Sequence, residues 1–162
     1  MLPDLLIDNL KIVFCGTAVG DKSALKQAYY AGVGNKFYKI LHKAGLTPQV
    51  LNPYEYRNLL EYKIGLTDLV KCKSGMDYTL SKEHFDNASF RLKIENYKPA
   101  LICFNGKNAA QEFLGHTVSY GIQSERINET RIFVAPSTSG AAGGFWDENC
   151  WFELKKIMDL LP

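Results

Sequence analysis

Lys11-Ile12-Val13-Phe14-Cys15 runs into Gly16-Thr17-Ala18-Val19-Gly20, and this join decides the fold. The first half is short and apolar after its lysine, the pattern of a strand buried on both faces. The second half puts a glycine-punctuated loop at the strand's C-terminal end. A second join of the same kind lies far along the chain. There Arg131 to Ala135 reads as a strand, and Pro136-Ser137-Thr138-Ser139-Gly140-Ala141-Ala142-Gly143-Gly144 follows it. In an open α/β sheet, loops in this position form the ligand site. One loop is followed by the rings of Tyr29 and Tyr30 and the carboxamide of Asn35, and the other offers hydroxyls and bare N–H groups. That set suits a flat base and a phosphate.

The segments between the joins alternate helix and strand. A long loop with one helical turn runs to about Gly34, and Asn35 to Ala44 reads as a helix with Phe37, Tyr38, Ile40 and Leu41 inward. Asn52 is placed to cap a helix that opens at Pro53 and reaches Tyr62. Gly65 to Val70 reads as a short strand. Ser81 is expected to cap a helix running through Phe85 and Phe90 to Tyr97, which Pro99 stops. Ala100 to Phe104 is a buried strand, Asn105-Gly106 leads into a helix ending near Leu114, and Val118 to Ile127 reads as an irregular hairpin or loop. Asp147 caps a last helix with Trp151, Leu154, Ile157 and Leu161 inward. The expected architecture is a three-layer α/β/α sandwich around a short, mostly parallel sheet, built as one domain over residues 1–162.

Composition narrows the class. The chain has 162 residues, 46% of them hydrophobic, enough for a real core. It has no apolar run of membrane-spanning length, and its first residues lack a signal-peptide pattern, so a cytoplasmic protein is expected. The net charge of +2 is small. Lys22, Lys26, Lys36, Lys39 and Lys43 gather near the first loop, with Lys71 and Lys73 further on, and taken alone they read as a solvated face. The cysteines Cys15, Cys72, Cys103 and Cys150 form no C-x-x-C pair, which argues against zinc, iron–sulfur and disulfide chemistry. His42, His84 and His116 stand apart from any nucleophile. Gly16-Thr17-Ala18-Val19-Gly20 is neither a Walker loop nor a dinucleotide fingerprint. Thr138-Ser139-Gly140 lacks the first glycine of a nucleophile elbow.

Asp68, inside Leu66-Thr67-Asp68-Leu69, is the residue of greatest chemical interest. An acid at the end of an apolar strand either caps a helix or faces a cleft. In a cleft it can hold water or offset positive charge on a sugar. Asn35 either caps its own helix or reads a base edge.

Together these segments resemble the uracil-DNA glycosylase superfamily, with the mismatch-specific uracil/thymine branch as the nearest pattern. The resemblance rests on Val13 to Gly16 with Gly20, Ser23-Ala24, Asn35-Lys36-Phe37-Tyr38, Ala44-Gly45, Gly65 to Val70 and Pro136-Ser137, in that order. It implies a monomeric enzyme that flips a damaged base from DNA and hydrolyses its glycosidic bond without metal or cofactor. It implies a base pocket at Thr17, Ala18, Gly20 and Tyr30, the ring of Tyr30 stacking on the base. Ser137 would hold a phosphate, and Thr138, Ser139 and Gly140 would begin the loop that fills the vacated gap. The branch carries a catalytic asparagine where this chain has Ala18, and Asn or His where it has Ala135. The catalytic work is therefore expected of Asp68, with Asn35 as a second polar group. Two other readings fit the same residues. One is a lesion-binding protein that does not cut, and the other is an unrelated nucleotide-binding α/β protein.

Overall fold

A computed structural model describes residues 2–76 and 80–162. Its sheet has five strands in the order β2-β1-β3-β5-β4. The strands are β1 (Ile12–Ala18), β2 (Ile64–Val70), β3 (Leu101–Asn105), β4 (Gly121–Ile127) and β5 (Thr130–Ala135). The first three and β5 are parallel, and β4 runs antiparallel at one edge. The chain leaves β1 for β2 on one side and returns to β3 on the other. The strand order thus reverses at β1, and the crevice beyond β1 and β3 is the place such sheets hold a ligand.

The apolar runs explain the layers. Alternate residues of each central strand enter opposite cores. Ile12, Phe14, Leu101, Cys103 and Phe133 face one core, while Val13, Cys15, Ile102, Phe104 and Ile132 face the other. On the first face lie α2 (Phe37–Lys43), the 3-10 helix Pro53–Tyr62 and α5 (Glu148–Leu160), which bury Phe37, Leu41, Tyr56, Leu59, Trp151 and Leu154. On the second lie α3 (Asn87–Tyr97) and α4 (Lys107–Leu114), which bury Phe90, Ile94, Ala109, Ala110 and Phe113. The expected three-layer α/β/α arrangement is the observed one. Trp151 is fully buried, its ring 5.6 Å from that of Phe14 at 22°. Its indole N–H donates to the Pro136 carbonyl at 3.1 Å, so the first core also holds the loop that follows β5.

Three local readings differ from the structure. Asn52 does cap its helix, in a reciprocal box with Glu55, but residues Pro53–Tyr62 wind as a 3-10 helix. The helix expected from Ser81 to Tyr97 is broken. Ser81 opens only the short 3-10 turn Lys82–His84, and Asp86 caps α3 by accepting from the Ser89 N–H at 3.0 Å. Two good caps five residues apart compete, and the second starts the helix that has a core to pack on. Residues 118–127 contain β4, paired with β5 through a register shift between Ile122 and Arg126.

The segment before β1 matters beyond its length. Leu5 exchanges two backbone hydrogen bonds with Leu66, at 2.9 and 3.0 Å, and so lies along the open edge of β2. The contact depends on Gly65. A Cβ there would stand 2.6 Å from both the Leu5 carbonyl oxygen and Leu10 Cδ1. Gly65→Ala is therefore expected to destabilise the fold by about 1–3 kcal/mol. Urea unfolding should show a lower midpoint with an unchanged slope; an unchanged midpoint would mean that the segment yields freely.

Candidate active site

The crevice is organised around a missing side chain. Gly16 on β1 stands opposite Asp68 on β2. A Cβ on Gly16 would lie 2.9 Å from Asp68 Oδ1 and 3.8 Å from the Tyr30 hydroxyl. The room that glycine leaves is where the carboxyl and the phenol converge. Tyr30 reaches it from the loop after α1 (Asp21–Lys26), in a left-handed backbone conformation with φ of 53°. Phe37 stacks on its ring at 4.0 Å. Burial, reinforced by the charge of Asp68, pushes the Tyr30 hydroxyl well above its ordinary pKa, so it stays protonated.

Asp68 is 3% exposed, and its Oδ2 has no hydrogen-bond partner. Its nearest cation is Lys71, three residues on and just past the end of β2, with Nζ 3.7 Å from Oδ2. That lysine is engaged elsewhere. Its Nζ lies 2.9 Å from Asp4 Oδ1 and donates to the Tyr29 hydroxyl at 3.2 Å. Asp4 also takes Lys93 at 2.6 Å and the Thr67 hydroxyl at 2.8 Å. The two acids consequently differ. Burial would raise Asp4, but its bonds to Lys93 and Lys71 hold it below the ordinary carboxylate range. Asp68 lacks such bonds. Burial pushes it up to about 6, against the pull of Lys71 and with a smaller push from Asp4.

The other expected site residues fall into two groups. Thr17 and Ala18 end β1 beside the crevice, and Gly20 is the N-cap of α1, its carbonyl accepting from the Ala24 N–H. Thr17 also borders a cleft of 1060 Å³ that it shares with Asn87, Asn108 and Gln111. Asp68 and Lys71 border a smaller one of 370 Å³ with His84, Phe90 and Lys93. Asn35 precedes Lys36, the N-cap of α2, and its side-chain oxygen accepts from the Phe37 N–H at 3.0 Å at the start of the helix. In the second loop, Ser137 and Ser139 are half-buried and Gly140 is exposed. Thr138 is only 1% exposed, so its hydroxyl braces the loop from within, where a place in the gap-filling loop was expected.

The brace is Asn105, which Asn105-Gly106 as a sequence marks only as a turn before α4. Its side-chain N–H donates to Thr138 Oγ1 at 2.9 Å and its oxygen accepts from the Thr138 N–H at 3.0 Å. It also adjoins the Tyr30 hydroxyl. Ser137 Oγ accepts from the Ser139 N–H at 3.2 Å, and Ser139 Oγ from the Ala141 N–H at 3.3 Å. The hydroxyls thus shape the loop. Gly140 meets the other loop, with a built Cβ 3.4 Å from the Gly34 carbonyl oxygen. Lys71, expected on a solvated face, is instead bound into the acid–lysine network. Cys15 is fully buried with its thiol pushed well up, which removes it as a nucleophile. Among the described residues no group of His, Cys, Asp and Glu is placed to hold a metal ion. No helix among them is long and apolar enough to cross a membrane.

A model of the uracil DNA glycosylase superfamily matches residues 3–161. The fold is similar to the solution NMR structure of a Methanosarcina acetivorans protein, itself a proposed uracil DNA glycosylase. The TM-score is 0.64 at 25% identity, over 98% of this chain and 96% of that one.

A carboxyl raised from 3.8 to about 6 by folding binds its proton more tightly in the native state. Its contribution is fully present below pH 3.8 and is lost as pH rises through 6. The loss is on the order of 3 kcal/mol. Asp68→Asn should therefore unfold at higher urea than the parent chain at pH 8. The gap should close as pH falls toward 3.8. Parallel curves across that range would mean that Asp68 is better solvated than its burial indicates.

Proposed function

The chain belongs to the uracil DNA glycosylase superfamily, and from that premise we propose that it excises uracil or a related deaminated base from DNA, with Asp68 as the catalytic group. Family membership supports DNA glycosylase activity in general and removes the reading as an unrelated nucleotide-binding protein. The observation that carries the finer proposal is the carboxyl of Asp68. It is buried, without a hydrogen bond at Oδ2, and set beside the crevice where the strand order reverses.

The chemistry follows from that environment. The bond between the sugar C1′ and the base nitrogen breaks, and its electron pair leaves with the base. Positive charge then develops on the sugar. An ionised Asp68 in a dry setting opposes that charge strongly and without reorganisation. A water molecule adds at C1′, and Asp68 accepts its proton as the new bond forms. The bond lies inside the base stack, so the nucleotide must first be turned out. In this reading the backbone groups of Thr17, near the end of β1, and of Gly20, just past it, read the base edge. Tyr30 supplies an aromatic wall beside Asp68, and Ser137 and Ser139 the phosphate side of the crevice. The nearest motif pattern is that of the mismatch-specific branch, which places uracil or thymine opposite guanine among the first substrates to test. Asn35 is left a supporting role through α2, since its side-chain oxygen is committed to the helix start.

Ala18 and Ala135 favour one competing reading. Ala135 is fully buried in β5 and Ala18 is paired with Val70, so neither position offers a polar group. A protein that binds lesions without cutting them would look the same there. An electrophoretic shift on G·U duplex with no abasic product would establish that reading.

The distinguishing assay is abasic-site formation on uracil-containing oligonucleotides. Asp68→Asn should lower the rate by about 10²–10⁴. The parent rate should rise with pH through about 6, as Asp68 ionises. Lys71→Met should move that limb upward in pH, because Lys71 pulls the Asp68 value down. Full activity in the Asp68 variant would end its catalytic assignment.

A further inference from the structure

Lys71 stands between two acids and is held by the more exposed of them. Its Nζ lies 2.9 Å from Asp4 Oδ1 and 3.7 Å from Asp68 Oδ2, although the Asp68 side chain is 4% exposed and that of Asp4 20%. Attraction between opposite charges strengthens as their surroundings dry. A lysine ammonium on a flexible stem, offered Asp68 alone, would close on it. The contacts that prevent this come from three consecutive residues of the N-terminal segment. Asp4 is pinned by the Thr67 hydroxyl, which donates to Oδ1 at 2.8 Å, and by Lys93 of α3, 2.6 Å from Oδ2. Leu5 fixes the segment to β2 through its two backbone hydrogen bonds with Leu66. The Tyr29 hydroxyl accepts from Lys71 Nζ at 3.2 Å and donates to the Pro3 carbonyl at 3.1 Å.

The remaining titratable groups around Asp68 do not compete for this role. Cys15 on β1 and Tyr29 and Tyr30 on the following loop are all pushed up by burial and stay protonated. Lys93 pulls on Asp68 less than Lys71 does. The cleft that Asp68 borders also carries Cys72, Glu83, His84 and Asp86. We propose that Asp4 is a positioning residue of this site: it holds the Lys71 ammonium back from Asp68, so that the Asp68 carboxylate stays available to the sugar instead of closing into an ion pair. The assignment rests on the glycosylase reading of Asp68 and adds a residue that acts through Lys71. Without the Asp4 charge, Lys71 moves onto Oδ2. The pair formed there weakens the field on the developing positive charge and makes Asp68 a poorer acceptor for the proton of water.

The test compares the parent chain with Asp4→Asn, Asp4→Glu, Lys71→Met and the double variant Asp4→Asn/Lys71→Met. One readout is the pH profile of abasic-site formation on uracil-containing DNA. The other is the titration of the Asp68 carboxyl followed by carbon-13 NMR, which needs no substrate. Asparagine keeps the size of Asp4 and an acceptor for Thr67 while removing the charge. It should lower the plateau rate about tenfold, and Asp68 should titrate about one pH unit lower. Glutamate, which restores the charge, should recover most of both. In the Lys71→Met background the same Asp4→Asn change should alter the rate less than about twofold and move the titration less than half as far. Equal effects with and without Lys71, in rate or in titration, would overturn the proposal, as would an Asp68 titration that Asp4→Asn leaves in place. If the parent forms no abasic site, the glycosylase reading fails by itself. The titration of the four folded variants still decides whether Asp4 holds Lys71 back.

Discussion

Two lysines and two carboxylates share the space beside β2, and their unequal division governs the site. Asp4 collects Lys93, the nearer approach of Lys71 and the Thr67 hydroxyl. Asp68 receives only the longer approach of Lys71 and no hydrogen bond at Oδ2. An even sharing would have given two ordinary ion pairs, each acid firmly ionised and chemically quiet. Instead one acid is satisfied and the other is left basic in a dry place. Burying a charge this poorly compensated opposes folding, and the two apolar cores on either side of the sheet must offset it. Sites of this kind trade stability for reactivity.

The geometry that sustains the division is mostly backbone. Gly16 yields the volume in which Asp68 sits, and Gly65 lets Leu5 lie against β2 and so places Asp4. On the other side of the crevice, Asn105 fixes Thr138 through both its backbone and its hydroxyl, and Trp151 pins Pro136. Side chains that stay in the core thus position loops that face outward. The flipped base proposed above would meet a rim whose parts are each anchored one residue away from the surface they present.

Much of this was legible in the sequence. The apolar runs at Ile12, Leu101 and Arg131 announce strands because buried parallel strands need no polar face. Asp68 is conspicuous because an acid inside such a run has few reasons to be there. Asp4 was not legible. Its partner Lys93 is 89 residues away, and nothing local distinguishes an acid that will meet two lysines from one that will meet water. Asn105 was hidden by its neighbour, since Asn-Gly is a turn signal whatever else the asparagine does. β4 escaped because its half-buried positions are Gly121, Gln123 and Glu125, so the hydrophobic alternation that marks an edge strand never forms. The competition between Ser81 and Asp86 is settled by packing, a property of the whole fold.

The two hydrogen bonds between Leu5 and Leu66 carry a further consequence. β2 is the outermost strand on its side, and every one of its residues from Ile64 to Val70 is buried. An uncovered strand of that composition invites pairing with other chains. The short N-terminal segment therefore shields that edge and, one residue before the same contact, delivers the acid that tunes Asp68. Peeling that segment away would make self-association and altered acidity arrive as a single event.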